Sequence, residues 1–100
     1  MDKIIITNFE GVYEPAEDSW LMVNHLPKIK GSVLEIGCGT GIISVHLAFR
    51  GAQVTAIDLN PKAVEATKFN ALNNSVKAEV LEGDMFGPLA GRRFGTIVCN

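Results

Sequence analysis

In the run LEIGCGTG, Glu35 stands two residues before Gly37, and glycine recurs at positions 37, 39 and 41. Glycines at this density let the backbone turn sharply and let a ligand approach main-chain N–H groups. A dinucleotide fingerprint would read Gly-x-Gly-x-x-Gly, and from Gly37 and Gly39 that spacing needs a small residue where Ile42 stands. The carboxylate of Glu35 would also repel a pyrophosphate, while it favours an ammonium or sulfonium group in a partly dry cleft. N–H groups from Thr40 onward, at the start of a helix, remain to attract a carboxylate. Asp58 lies about twenty residues beyond the glycines, where it is positioned to accept hydrogen bonds from ribose hydroxyls. Ammonium, carboxylate, ribose and a positive sulfur together describe S-adenosylmethionine, which is the expected cofactor.

These residues need elements to position them, and two alternating periods supply them. Val33 to Ile36 is a short apolar run before the glycines and predicts a buried strand; Ile42 to Arg50 is apolar almost throughout and predicts a helix lying on a sheet, stopped by Gly51. Gln53 to Leu59 predicts a second strand. Asn60-Pro61 then supplies a cap residue and a proline suited to a first helical turn. That helix is expected to run to about Asn73, with Ala63, Ala66, Phe69 and Leu72 as its apolar stripe. Ala78 to Asp84 and Gly95 to Asn100 predict two more strands, joined by a segment too broken by glycine and proline for a long helix. Strands alternating with helices imply a doubly wound, mostly parallel α/β sheet, Rossmann-like in class. In such sheets ligands bind outside the carboxyl ends of the strands, so Gly37 to Gly41, Asp58, Asp84 and Asn100 share one rim.

The 100 residues, 47% of them hydrophobic, fit a single domain, and nine Lys and Arg against eleven Asp and Glu give a net charge of −2. That balance carries no broad electrostatic footprint for nucleic acid. No run approaches the ~18 apolar residues of a membrane-spanning helix. A cytoplasmic location is expected. Cys38 and Cys99 are far apart and lack ligand-spaced partners, so neither a disulfide framework nor a metal site is signalled, and both are expected to be small buried residues.

The runs LEIGCGTG, AIDLNPKA, EGD and IVCN, in that order and spacing, resemble the class I S-adenosylmethionine-dependent methyltransferases. The earlier phrase VYEPAEDSWLM resembles, more narrowly, the HemK-like protein glutamine methyltransferases of the archaeal and eukaryotic type, which modify class-1 translation release factors. The resemblance runs from Val12 to Asn100. It implies a helical segment over about 12–30 leading into a cofactor-binding half over 31–100, and it implies that this chain is the N-terminal half of a longer domain. By the same resemblance, Glu35, Gly37 and Gly39 hold the methionine end of the cofactor and Asp58 the ribose. Asp84 accepts from the adenine amino group with Met85 packed beside the base, while Ser19 and Tyr13 approach the cofactor from the preceding segment. Asn100 is then the first residue of an Asn-Pro-Pro-Tyr signature and the catalytic residue. A glutamine amide nitrogen is a poor nucleophile, so the enzyme must orient it: an Asn carboxamide oxygen and a nearby backbone carbonyl can each accept one N–H of the substrate. The resemblance further implies a protein substrate and a small zinc-binding activator subunit, for which exposed apolar residues of the third strand are the candidate surface.

Simpler readings stand beside several of these residues. Pro15, Glu17 and Asp18 suit the first turn of a helix without any ligand. Trp20, Leu21, Val23 and Leu26 read as that helix's buried face, and His25 and His46 as ordinary helix residues. Asp58 also suits a turn carboxylate capping the helix at Asn60-Pro61. Alternatives for the function are methyl transfer to another planar amino group, such as adenine in nucleic acid or an amine on a small molecule, and a binding module without turnover. A nicotinamide oxidoreductase is disfavoured by Ile42 and Glu35.

Overall fold

A computed structural model describes residues 4–14, 17–24 and 29–99, and of helix residues 17–19 and 21 the backbone alone. The elements are α1 (Glu17–Asn24), β1 (Ser32–Ile36), α2 (Ile42–Phe49), β2 (Gln53–Asp58), α3 (Pro61–Asn73), β3 (Ala78–Glu82) and β4 (Thr96–Cys99). The four strands, α2 and α3 match the sequence-based expectation within a residue or two at each end, whereas the helical segment expected over about 12–30 is helical over Glu17–Asn24, with 12–14 and 29–30 not helical. The four strands pair in parallel in the order β3-β2-β1-β4. The chain therefore winds outward from β1 through β3 and then crosses back to place β4 on the other side of β1. The point of reversal, between β1 and β4, is where such sheets open a crevice.

Strand alternation divides the core between two faces. Val33, Val54, Ala56 and Val80 face the helices, where Val23, Ile42, Ile43, Leu47 and Val64 close over them. Leu34 and Ile57 face the other way and are covered by Leu89 and the half-buried Phe94, from the helix-free segment after β3. Helix α2 is buried on nearly every side, as its apolar composition requires, with Ile42, Ile43, Ser44, Val45 and Leu47 all at 2% exposure or less.

Three expectations are corrected. The buried stripe of α3 is Ala63, Val64, Ala66, Thr67, Asn70 and Ala71, whereas Phe69 and Leu72 are 44% and 80% exposed. Polar Thr67 and Asn70 occupy the buried side because distant backbone groups await their hydrogen bonds there, which turns the helix about its axis relative to a stripe counted on apolar residues alone. Trp20 is 45% exposed and meets His46 edge-on, at 6.5 Å between ring centroids, and of the described side chains of α1 only Val23 is buried. Cys38 is buried as expected, but Cys99 is exposed, because β4 is the outer strand of the sheet here and Cys99 faces the side without helices. Leu26 and His25 lie outside the described residues.

Candidate functional site

The turn joining β1 to α2 is built from backbone that only glycine adopts readily. Gly37, Gly39 and Gly41 have φ of 78°, 55° and 90°. The turn is anchored to β2 on one side: the Gly37 and Cys38 N–H groups donate to the Ile57 carbonyl at 2.8 and 3.3 Å, and the Gly39 N–H donates to Asp58 Oδ2 at 3.1 Å. On the other side α3 holds it. Thr67 donates to the Gly39 carbonyl at 3.0 Å, and Asn70 Nδ2 donates to the Thr40 carbonyl at 2.8 Å. A Cβ on Gly41 would lie 2.9 Å from Thr67 Cγ2, so α3 packs directly against the turn. Above Gly39, by contrast, a Cβ would meet nothing within 4 Å. The turn is thus closed beneath and open above, the shape of a cradle.

Two carboxylates flank that cradle in different ways. Glu35 is fully buried on the helix side of β1, and its Oε1 accepts from the Ser44 N–H at 3.2 Å and the Ser44 hydroxyl at 2.5 Å. It satisfies a first-turn amide of α2 and places negative charge at the positive end of that helix. Asp58 lies at the rim, half-buried, with Oδ2 on Gly39 and Oδ1 accepting from the Asn60 N–H at 2.9 Å. A carboxylate offers about four lone-pair sites, so Asp58 orders the turn and the α3 cap and still has acceptor capacity towards the cleft. The capping role is real as well: Asn60 accepts from Lys62 N–H at 3.0 Å, with Pro61 as first helical residue.

The thiol of Cys38, inside the turn, senses this field. Burial pushes it up to about 12, against a lowering by the Thr67 hydroxyl, and the charges of Glu35 and Asp58 add smaller raises. Excess negative potential at the turn suits a ligand with positive charge and disfavours a diphosphate. Together with the open space over Gly39 and the acceptor capacity of Asp58, this donor set fits S-adenosylmethionine: the turn for the amino-acid end, Asp58 for ribose hydroxyls.

Asp84 follows β3, whose end lies beside Asp58 through the bond from Gly83 N–H to the Asp58 carbonyl at 3.0 Å. Its Oδ1 accepts from the N–H groups of Phe86 and Gly87 at 2.9 and 3.0 Å, closing a local turn that leaves Met85 and Phe86 exposed beside it. Tyr13 is 95% exposed near the end of a segment, 4–14, that runs along α3 from its C-terminal to its N-terminal end. Ser19 belongs to α1, but its side chain lies outside the described residues, as does the whole of Asn100. The structure therefore brings Glu35 of β1 and Asp58 of β2 to the turn that holds Gly37 and Gly39 and sets Asp84 and Met85 on the adjoining rim. Sequence reasoning did not find Ser44, Thr67 or Asn70. A polar residue on the otherwise apolar side of a helix was the available signal for each.

The methyltransferase small domain pattern matches residues 3–100. A candidate protein N5-glutamine methyltransferase of Methanocaldococcus jannaschii is 45% identical over 91 residues, covering 89% of this chain and 46% of that protein. Ribosomal RNA small subunit methyltransferase C of Aeromonas hydrophila is 33% identical over 103 residues, covering 98% of this chain and 30% of that protein. The chain thus spans half or less of the length of these relatives. Among solved structures, the tRNA (uracil-54, C5)-methyltransferase of Pyrococcus abyssi, in complex with S-adenosyl-L-homocysteine, superposes with a TM-score of 0.74 at 22% identity, covering 87% of this chain and 23% of that one. That likeness establishes the shared fold. With a parallel β3-β2-β1-β4 sheet, a glycine turn at its reversal point and an acidic residue closing β2, the chain belongs to the methyltransferase small domain family, within the class I S-adenosylmethionine-dependent methyltransferases.

Proposed function

We propose that this chain carries the cofactor-binding part of an S-adenosylmethionine-dependent methyltransferase whose acceptor is a glutamine side chain of a class-1 translation release factor. The observation that carries the reading is the 45% identity to a candidate protein N5-glutamine methyltransferase, over a stretch that includes the whole glycine turn, Asp58 and Asp84. Bound cofactor supplies an electrophilic methyl group whose transfer erases a positive charge. The chain's own residues bind and orient. The turn's amides and the field of Glu35 and Asp58 select a ligand that is cationic at one end, Asp58 fixes it by its ribose, and Asp84 and Met85 bound the base. Asn100, the residue that follows β4 in the sequence, is assigned to accept an N–H of the substrate amide and hold its nitrogen in line for attack. Ser19 and Tyr13 are assigned to close the cofactor side. β3 is the other outer strand; contrary to expectation its apolar residues are not exposed, Val80 being buried and Ala78 and Leu81 half-buried, and we assign its free edge to the small zinc-binding activator subunit.

The test uses the full-length protein, with the activator subunit, radiolabelled S-adenosylmethionine and a release factor, read by mass spectrometry of the factor's peptides. One added methyl on a glutamine supports the proposal. Asn100→Ala is expected to abolish transfer while S-adenosylhomocysteine binding persists; undiminished turnover would remove Asn100 from the chemistry. A second reading, methylation of a base amino group in small-subunit ribosomal RNA, is favoured by the 33% identity across 98% of the chain. Label incorporated into ribosomal RNA and not into the factor would decide for it.

A further inference from the structure

The segment of residues 4–14 lies outside the sheet and turns at 9–12, where the Val12 N–H donates to the Phe9 carbonyl at 3.1 Å, yet its main chain is bonded to side chains of α3 and of its caps. Asn74 receives the Ile5 N–H on Oδ1 and donates Nδ2 to the Ile5 carbonyl, both at 2.8 Å. Asn70 repeats the clamp two residues on, receiving the Thr7 N–H at 2.8 Å and donating to the Thr7 carbonyl at 3.0 Å. Phe9 meets Phe69 edge-on at 5.4 Å, Val12 packs on Ala63 and Ala66, and Asn60 Nδ2 donates to the Gly11 carbonyl at 3.0 Å. Helix α3 thus carries a rail of side-chain amides that holds the segment like a strap.

Asn70 differs from its neighbours on the rail. It is fully buried, and the second hydrogen of its NH₂ group goes to the Thr40 carbonyl of the glycine turn at 2.8 Å. One carboxamide therefore holds strap and turn at once, with both hydrogens and its oxygen engaged. Releasing the strap strips Asn70 of two bonds in a dry site, where a partly satisfied amide reorients to recover partners, and the Thr40 carbonyl is the group that loses its donor. We infer that Asn70 is a positioning residue through which docking of the 4–14 strap orders the glycine turn, so that strap docking and cofactor binding are cooperative. The cofactor half of this inference rests on the methyltransferase reading; the coupling between strap and turn does not.

The experiment measures hydrogen exchange of the Gly39 to Gly41 amides in the full-length protein without ligand. Phe9→Ala with Val12→Ala undocks the strap without touching the turn, and Asn70→Asp keeps the side chain's shape while replacing its donor. Each change is expected to speed exchange in the turn on the order of tenfold, and their combination no further than either alone, as for residues sharing one network. Independent, multiplying effects, or a turn indifferent to the strap, would overturn the coupling. Asn70→Ser replaces Asn70→Asp should the latter not fold, and the strap pair gives its answer without either. Calorimetry with S-adenosylhomocysteine then reads the second half: the strap pair is expected to weaken binding by a factor similar to its effect on exchange, and an unchanged affinity would overturn the cooperativity. An unaltered protein that binds no S-adenosylhomocysteine would instead refute the methyltransferase reading and leave the exchange result to judge the coupling.

Discussion

The two faces of the sheet are supported by different means. On the helix side, the glycine turn is held by Asp58 of β2 and by Thr67 and Asn70 of α3, Ser44 of α2 holds Glu35 just before it, and Cys38, Ser44, Thr67 and Asn70 are fully buried. On the other side, residues 83–95 rest on a local turn at Asp84, on Leu89 and the half-buried Phe94 against Leu34 and Ile57, on the Gly95 N–H bond to Ser32 Oγ at 2.9 Å, and on the exposed Arg92–Glu79 pair at 2.8 Å. Buried partners hold the first region, whereas the polar partners of the second are largely exposed to water. In the proposed reading, the charged end of the cofactor meets the first region and the adenine the second.

Thiol chemistry exposes the contrast most widely. Cys99 is exposed and is expected to react with an aromatic disulfide reagent within minutes at pH 8, whereas Cys38, buried and pushed up to about 12, reacts only as the protein unfolds. Comparable rates for the two would mean that the turn opens freely. Alanine at the glycines comes next. Gly41→Ala forces a side chain into φ of 90° and into Thr67, and should cost about 3 kcal/mol in chemical denaturation. Gly87→Ala, with 3.8 Å to its nearest neighbour, should cost under about 0.5 kcal/mol. Thr67→Val leaves the Gly39 carbonyl without its donor, an expected loss of about 1–3 kcal/mol, against under about 0.5 kcal/mol for Asp84→Ala on the open side.

Acid supplies the smallest effects. Burial holds His46 below its usual 6.5, so the unfolded chain binds the proton first; stability should fall as pH drops below about 6.5, and His46→Gln should remove that slope. Glu79 is lowered chiefly by its hydrogen bond from Arg92 and so loses its contribution only at more acidic pH, as the carboxylate protonates. Both partners are exposed and screened by water, so Arg92→Ala should barely move the melting temperature.

The strands and helices were legible in the sequence because their apolar residues repeat with periods that burial enforces, and Pro61 and the glycines at 37 to 41 and 51 mark their ends. The turn and Asp58 were legible for the same local reason. Thr67 and Asn70 were not. Their value lies in carbonyls of Gly39, Thr40 and Thr7, up to 63 residues away in the chain, and no periodicity announces a hydrogen bond across that span. Counting apolar residues therefore favoured Phe69 and Leu72, which the fold leaves outside. Glu35 shows the same limit: its type pointed to charge, but Ser44 as its partner appears only once α2 is laid over β1.

Trp20 is the only indole in the chain, and it stands edge-on to His46. Imidazolium quenches indole emission far more strongly than neutral imidazole, and burial keeps this ring neutral at physiological pH. Nature has thus installed a fluorescent gauge at the junction of α1 and α2: brightness reports an uncharged, seated contact, and dimming on mild acidification reports the proton's arrival, with no dye attached.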